Sequence, residues 1–239
     1  MHKINIAVPM KNTKIALLLV FLAACGSAGQ PQQATEGDSL KIPAIAASPT
    51  APAEETLIVP CERFGPIKVG DSHETIVQRF GEDQVALDTL FLEGSPEGMQ
   101  TVIWQDTPKE IVVIWADLNP PYQKMSAIDA HHPGSPYRYA NGIRVGMPLA
   151  ELEQINGKPF KFYGFGWDYG GTFVGFAEGQ LAKELPCFGG YFAPLDENSA
   201  YTQPGNDAIM GDREIRSDNP VFKKIAVKLA SLRMNLPVE

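Results

Sequence analysis

The chain has 239 residues, 44% of them hydrophobic, and 28 Asp and Glu against 20 Lys and Arg give it a net charge of −8. Residues 1–24 hold three lysines and no acid, so the remainder stands near −11. That balance excludes a nucleic-acid footprint, which needs clustered cations, and a folded body lying flat on anionic lipid.

The chain opens with Lys3, Lys11 and Lys14 around and before a short apolar run, Ile15 to Ala23. This is the pattern of an export signal, and the run falls short of the roughly 20 apolar residues of a spanning helix. Met10 serves as an alternative start, because Met1 to Pro9 adds nothing the signal needs. The segment ends Leu22-Ala23-Ala24-Cys25-Gly26. These residues resemble the lipobox of bacterial lipoprotein precursors. The resemblance implies that residues 1–24 are removed and that Cys25 is acylated, palmitate included. Such a protein is lipid-anchored in the cell envelope, on the extracytoplasmic side of a bacterial membrane. The alternative is an ordinary cleaved signal with an incidental cysteine. Residues 25–56 read as the lipidated Cys and a tether, because 30–55 is rich in Ala, Pro, Gln, Ser and Thr and shows no apolar period.

Two further cysteines follow, Cys61 and Cys187. In an oxidising compartment they form either a disulfide or two separate buried thiols.

The globular part is organised around a phrase used twice. Residues 67–81 and 143–157 both run Ile, a basic residue, Val, Gly, then a second Gly eleven positions on, an offset of 76. Each copy predicts a strand end, a Gly turn, a short helix and a Gly stop. Asp71 and Glu74 offer a capping box to the first helix, and Pro148 suits the first position of the second. Gly81 and Gly157 occupy the place of a left-handed C-terminal cap. Asn119 to Met125 is echoed by Asn219 to Ile225 at an offset of 100, so the second unit carries about 24 extra residues within 187–216. The expected domains are repeat unit 1, residues 57–140, and repeat unit 2 with a long loop insertion, residues 141–239.

Within the first unit, 100–106 and 110–117 predict a hairpin across Thr107-Pro108-Lys109, and 124–130 a third strand. Ile111 to Trp115 is apolar on both faces and predicts a central strand covered on each side. In the second unit, 160–163, 172–177 and 180–185 predict strands, with a hairpin turn at Glu178-Gly179. Residues 196–220 predict a loop, and 221–236 a short turn followed by a strand. The fold class is therefore α+β: a tandem duplication of a unit with a short helix packed on an antiparallel sheet. The second sheet face is then either solvated or used for binding.

Val145-Gly146-Met147, a short helix, Gly157-Lys158-Pro159 and then Trp167-Asp168-Tyr169 resemble the SmpA/OmlA (BamE-like) outer-membrane assembly lipoproteins. Those proteins share a helix-plus-antiparallel-sheet fold with β-lactamase inhibitor protein, itself a tandem duplication. The matching stretch covers 143–169, with a thinner echo at 67–81, where Gly81-Glu82-Asp83 lacks the proline. The resemblance implies non-catalytic binding of an envelope protein.

No nucleophile elbow, phosphate-binding loop or dinucleotide fingerprint is present, so no catalytic residue and no cofactor is expected. Asp129, His131 and His132, with His73, form the one histidine-rich group and offer the alternative of a metal-dependent hydrolase. Adjacent histidines on a strand point to opposite faces, however. Residues 160–169 hold six aromatics. They read either as core packing or as a partly exposed patch for a protein partner. Trp167, Asp168 and Tyr169 are the expected contacts, extended by Tyr137 and Tyr139, with Trp104 and Trp115 assigned to the core. A sheet curved around a small apolar ligand is a third reading.

Overall fold

The computed structural model describes residues 54–196 and 205–237. Cys25, the expected signal segment and most of the expected tether lie outside them. The fold is mixed α+β, as expected.

The chain enters through three short strands, β1 (Leu57–Val59), β2 (Arg63–Phe64) and β3 (Ile67–Lys68). A Gly turn then leads into helix α1 (His73–Phe80). The cap differs from expectation. Ser72 is the N-cap, its Oγ accepting from the Thr75 N–H at 3.1 Å. Asp71 instead takes a bidentate clamp from Arg79, at 2.6 and 2.7 Å, and the Lys68 N–H at 2.8 Å. Burial raises its pKa, but these donors outweigh burial and hold the carboxyl below its ordinary value.

Strands β4 (Val85–Leu92), β5 (Ser95–Ile103), β6 (Ile111–Trp115) and β7 (Met125–Ala130) form an antiparallel meander. The expected hairpin and third strand are there. No element was expected at β4, because V-A-L-D-T-L-F-L has no clean alternation. The structure gives the reason: the end of the β4–β5 hairpin runs past β6, so its residues lack a consistent inner face. Phe91 and Leu92 are exposed there.

After β8 (Arg138–Tyr139), which pairs with β1 in parallel, comes α2 (Leu149–Asn156). It starts 76 residues after α1 and has the same length, eight residues. Pro148 stands at its N-cap rather than its first position, and Gly157 closes it in the left-handed conformation, φ 72°. Gly81 has positive φ but an extended ψ of 150°. Beyond α2 lie β9 (Lys161–Tyr163), β10 (Phe173–Gly175), β11 (Phe188–Gly189), β12 (Phe192–Pro194), β13 (Glu214–Arg216), β14 (Val227–Leu229) and β15 (Leu232–Asn235). The terminal segment is thus a 3-10 turn, Pro220–Lys223, and then two strands. β15 joins the meander beside β7, giving one six-stranded sheet, β11-β15-β7-β6-β5-β4.

The expected strand over 180–185 is a helical turn, α3 (Leu181–Glu184), and Glu178-Gly179 is no hairpin. Asn156, 1% exposed, decides this. Its Nδ2 donates to the carbonyls of Lys158 and Phe176, and its Oδ1 accepts from the Leu181 N–H. A side chain at Gly179 would meet the Asn156 amide at 2.1 Å, so only glycine admits the contact. A buried polar side chain thus takes up the donor that a strand would have needed. Asn156→Ala is expected to cost about 1–3 kcal/mol, since it strands the buried Phe176 carbonyl and Leu181 N–H, and the partly buried Lys158 carbonyl. A urea midpoint unmoved by the substitution would refute that role.

Cys61 and Cys187 are joined as a disulfide, Cα atoms 5.5 Å apart, across 126 residues of chain. The core fills one face of the large sheet, where Ile103, Ile111, Val113, Ile128, Leu232 and Met234 are fully buried. It continues into a phenylalanine cluster, in which Phe160, Phe162, Phe173, Phe176, Phe188 and Phe192 meet with ring centroids 4.5–6.2 Å apart.

Candidate functional site

The sheet's other face carries the candidate site. Register places Val102, Val112, Asp129, Arg233 and Gly189 in one row across β5, β6, β7, β15 and β11. Gln100, Ile114, Ala127 and Asn235 form the next row. Val112 and Ile114 remain partly exposed. The expectation that β6 is covered on both sides is therefore corrected: Ile111, Val113 and Trp115 face the core, and the alternate residues face outward. A strand apolar on both faces is as compatible with a docking surface as with a second packed layer.

At the centre of this face Asp129 is 7% exposed. Arg233, directly opposite it on β15, donates to Asp129 Oδ2 from Nε at 2.9 Å and from Nη2 at 2.6 Å. Burial pushes the Asp129 carboxyl up, and the guanidinium offsets this only in part. The pair holds Arg233 in one orientation while its side chain stays 40% exposed.

Beside Arg233 opens a cleft of about 310 Å³, lined by Asp168, Thr172, Tyr191, Ser231, Arg233 and Asn235 among others. It links the sheet face to the aromatic stretch. That stretch divides along its length. Phe160, Phe162 and Phe165 are buried. Tyr163, Trp167 and Tyr169 turn outward and stack edge to face, with centroids 5.5 and 5.4 Å apart. Trp167 donates its indole N–H to the Gly164 carbonyl at 2.8 Å. Trp167 is partly exposed, Asp168 exposed and Tyr169 47% exposed. Gly171 permits the tight return, because a Cβ there would lie 1.9 Å from the Phe192 carbonyl oxygen.

Tyr137 and Tyr139 do not extend this patch. Each is 2% exposed. Tyr137 stacks on Phe64 and donates its hydroxyl to the Lys109 carbonyl at 2.9 Å; Tyr139 stacks on Phe188. Burial raises both phenols far above their ordinary range. Pairing of β8 with β1 draws them into the core, a long-range event with no local signature. Trp115 is core as expected, whereas Trp104 is partly exposed and packs edge-on against Phe80 at 4.9 Å.

Asp129, His131 and His132 do not converge. Asp129 is committed to Arg233, His131 lies 3.2 Å from Glu110, and His132 Nδ1 accepts from the Gly134 N–H. His73 contacts Thr101 Oγ1 at 2.9 Å on the core side of the sheet. Among the described residues no three His, Cys, Asp or Glu side chains form a metal-type group. Nor is any described helix long and apolar enough to cross a membrane.

Arg233 and Tyr191 were missed in the sequence. The alternation Leu232-Arg233-Met234-Asn235 does mark Arg233 as opposite in face to two buried residues, but not which strand it joins. No protein-family model, curated protein or solved structure matches the chain.

Proposed function

We propose that the chain is a lipid-anchored, non-catalytic protein-binding module of the bacterial cell envelope, an accessory or inhibitor-like factor. In this reading residues 1–24 are the export signal, Cys25 carries the anchor, and 25–56 is the tether. Units 57–140 and 141–239 descend from a tandem duplication. The duplication is supported by two eight-residue helices 76 positions apart, each preceded by a positive-φ glycine, Gly70 and Gly146.

The observation that carries the binding role is the continuity of the open sheet face with the aromatic loop through the Asp168–Arg233 cleft. The face has an aliphatic centre in which Val112 and Ile114 are partly exposed beside the buried Val102 and Ala127, with Gln100 and Asn235 next to them. Its neighbours are an arginine already fixed by Asp129 and the stacked Trp167 and Tyr169. Aromatic and arginine anchors dominate protein interfaces, and an arginine held in place beforehand loses less freedom on binding. Hydrolysis through Asp129, His131 and His132 would first require breaking the ion pair that buries Asp129.

The test is affinity capture. The chain carrying Cys25→Ser, with its disulfide formed, is immobilised and exposed to envelope extract. One or a few proteins should be retained. Trp167→Ala and Tyr169→Ala should each weaken retention by about 2 kcal/mol or more, roughly thirtyfold in Kd, with circular dichroism unchanged. Retention indifferent to both substitutions, or no retained protein, would sink the proposal.

A further inference from the structure

A second cavity shares no residue with the docking face. It is a cleft of about 540 Å³ between the first turn of α2, the 3-10 turn Pro220–Lys223 and β14. This lies within the roughly 300–1,000 Å³ of small-molecule pockets. Its walls are largely aliphatic: Leu149, Ile225 and Val227 are buried there, Phe222 supplies the single ring, and Leu195 is 62% exposed.

The polar groups of the cleft divide into two kinds. Glu153, Ser217, Asp218 and Asn219 are already bonded within the chain. The Ser217 hydroxyl donates to Glu153 and accepts from the Phe160 N–H. Arg216 clamps Asp218 at 2.9 and 2.8 Å, and Asn219 Oδ1 caps the 3-10 turn by accepting from Val221 N–H. Lys223 and Lys228, by contrast, line the cleft and form no ion pair among the described residues. The cleft therefore offers an aliphatic wall with little free hydrogen-bonding capacity, and two uncommitted ammonium groups.

We infer that this cleft binds a single-chain anionic amphiphile, a long-chain fatty acid. The alkyl chain lies along Leu149, Phe222 and Ile225, and the carboxylate meets Lys223 and Lys228. A ligand body with polar substituents would leave them unpaired against these walls, and a neutral head would leave the two lysines unused.

The test uses the whole chain carrying Cys25→Ser, with palmitate and hexadecanol as probes, by titration calorimetry and native mass spectrometry. Palmitate should bind one to one, about tenfold tighter than hexadecanol. The Lys223→Ala, Lys228→Ala double variant should bring the two probes to nearly equal affinity. Ala150→Trp, at an exposed position lining the cleft, should abolish binding of both by filling the space, with thermal unfolding unchanged. Failure of palmitate to bind, equal binding of hexadecanol by the unsubstituted chain, or binding that survives Ala150→Trp would overturn the inference. None of these outcomes bears on the sheet-face proposal, whose variants lie elsewhere.

Discussion

Replacing both Cys61 and Cys187 by Ala is expected to lower the unfolding free energy by about 4–5 kcal/mol, through the loop that the disulfide closes. The two residues are 126 apart in sequence. In the chain-entropy view, a cross-link over so long a span acts mainly by restricting the unfolded ensemble, which expands once it is cut. The folded state has other ties between these regions. β1 pairs with β8, and β11 pairs with β15, which in turn pairs with β7. The native fold should therefore persist, with a lower midpoint in urea. The slope of the transition should rise, because the unlinked chain exposes more surface on unfolding. Reduction of the unsubstituted protein should reproduce both changes. A loss below about 1 kcal/mol would mean that the unfolded chain is already held compact without the bond.

Arg233→Ala should be the next most damaging change, at about 3–5 kcal/mol near neutral pH, because it leaves the Asp129 carboxylate buried without its counter-charge. The effect should depend on pH, with a definite sign. The folded carboxyl lies above its ordinary value, because burial outweighs the attraction of Arg233. Such a group is neutral in both states at acid pH. As pH rises past the unfolded pKa, the unfolded chain ionises first, and stability falls until the folded group ionises too. Removing Arg233 raises the folded value further, so the variant's deficit should be small in acid and widen toward neutrality. Asp129→Asn in the same background should recover most of the loss, since it removes the charge. Urea unfolding across this pH range checks all three statements. A deficit independent of pH would assign the damage to lost packing of the arginine stem rather than to the stranded charge.

The same pair connects stability to the proposed docking face. Asp129 costs desolvation in the free protein, and in return it holds an exposed guanidinium in the orientation a partner would meet. Whether the arginine is worth more to binding than to folding is separable. Arg233→Lys keeps a charge opposite Asp129 but loses the two-pronged clamp. A variant that folds well and binds poorly would place the arginine's main role in recognition.

Several features were legible in the sequence because they depend on local pattern. The two helices stand where the repeated Ile-basic-Val-Gly phrase predicts them, since a Gly turn, an apolar stripe and a Gly stop act within a dozen residues. Strands β5, β6 and β7 follow from runs of β-branched and aromatic residues around Thr107-Pro108-Lys109. The division of 160–169 into buried phenylalanines and outward Tyr163, Trp167 and Tyr169 was half-visible. Its composition allowed both core and patch, and only the packing of β9 chose between them for each ring.

What the sequence by itself determined is therefore the α+β class, the two short helices, strands β3, β5, β6, β7, β9 and β10, and the aromatic loop as a place to look; β13 lies inside the expected loop 196–220, and the strand end expected at 143–145 is only an isolated bridge at Arg144. What only the tertiary structure decided is how distant segments meet. Asn156 and Gly179 turn a strand-like stretch into α3. β8 and β1 bury Tyr137 and Tyr139, and β15 carries Arg233 to Asp129 across 104 residues of chain. The physical reason is common to all three. Each rests on a non-local pairing that satisfies a buried polar group or fills a core space, and the energy of such a pairing belongs to the contact, not to either segment alone.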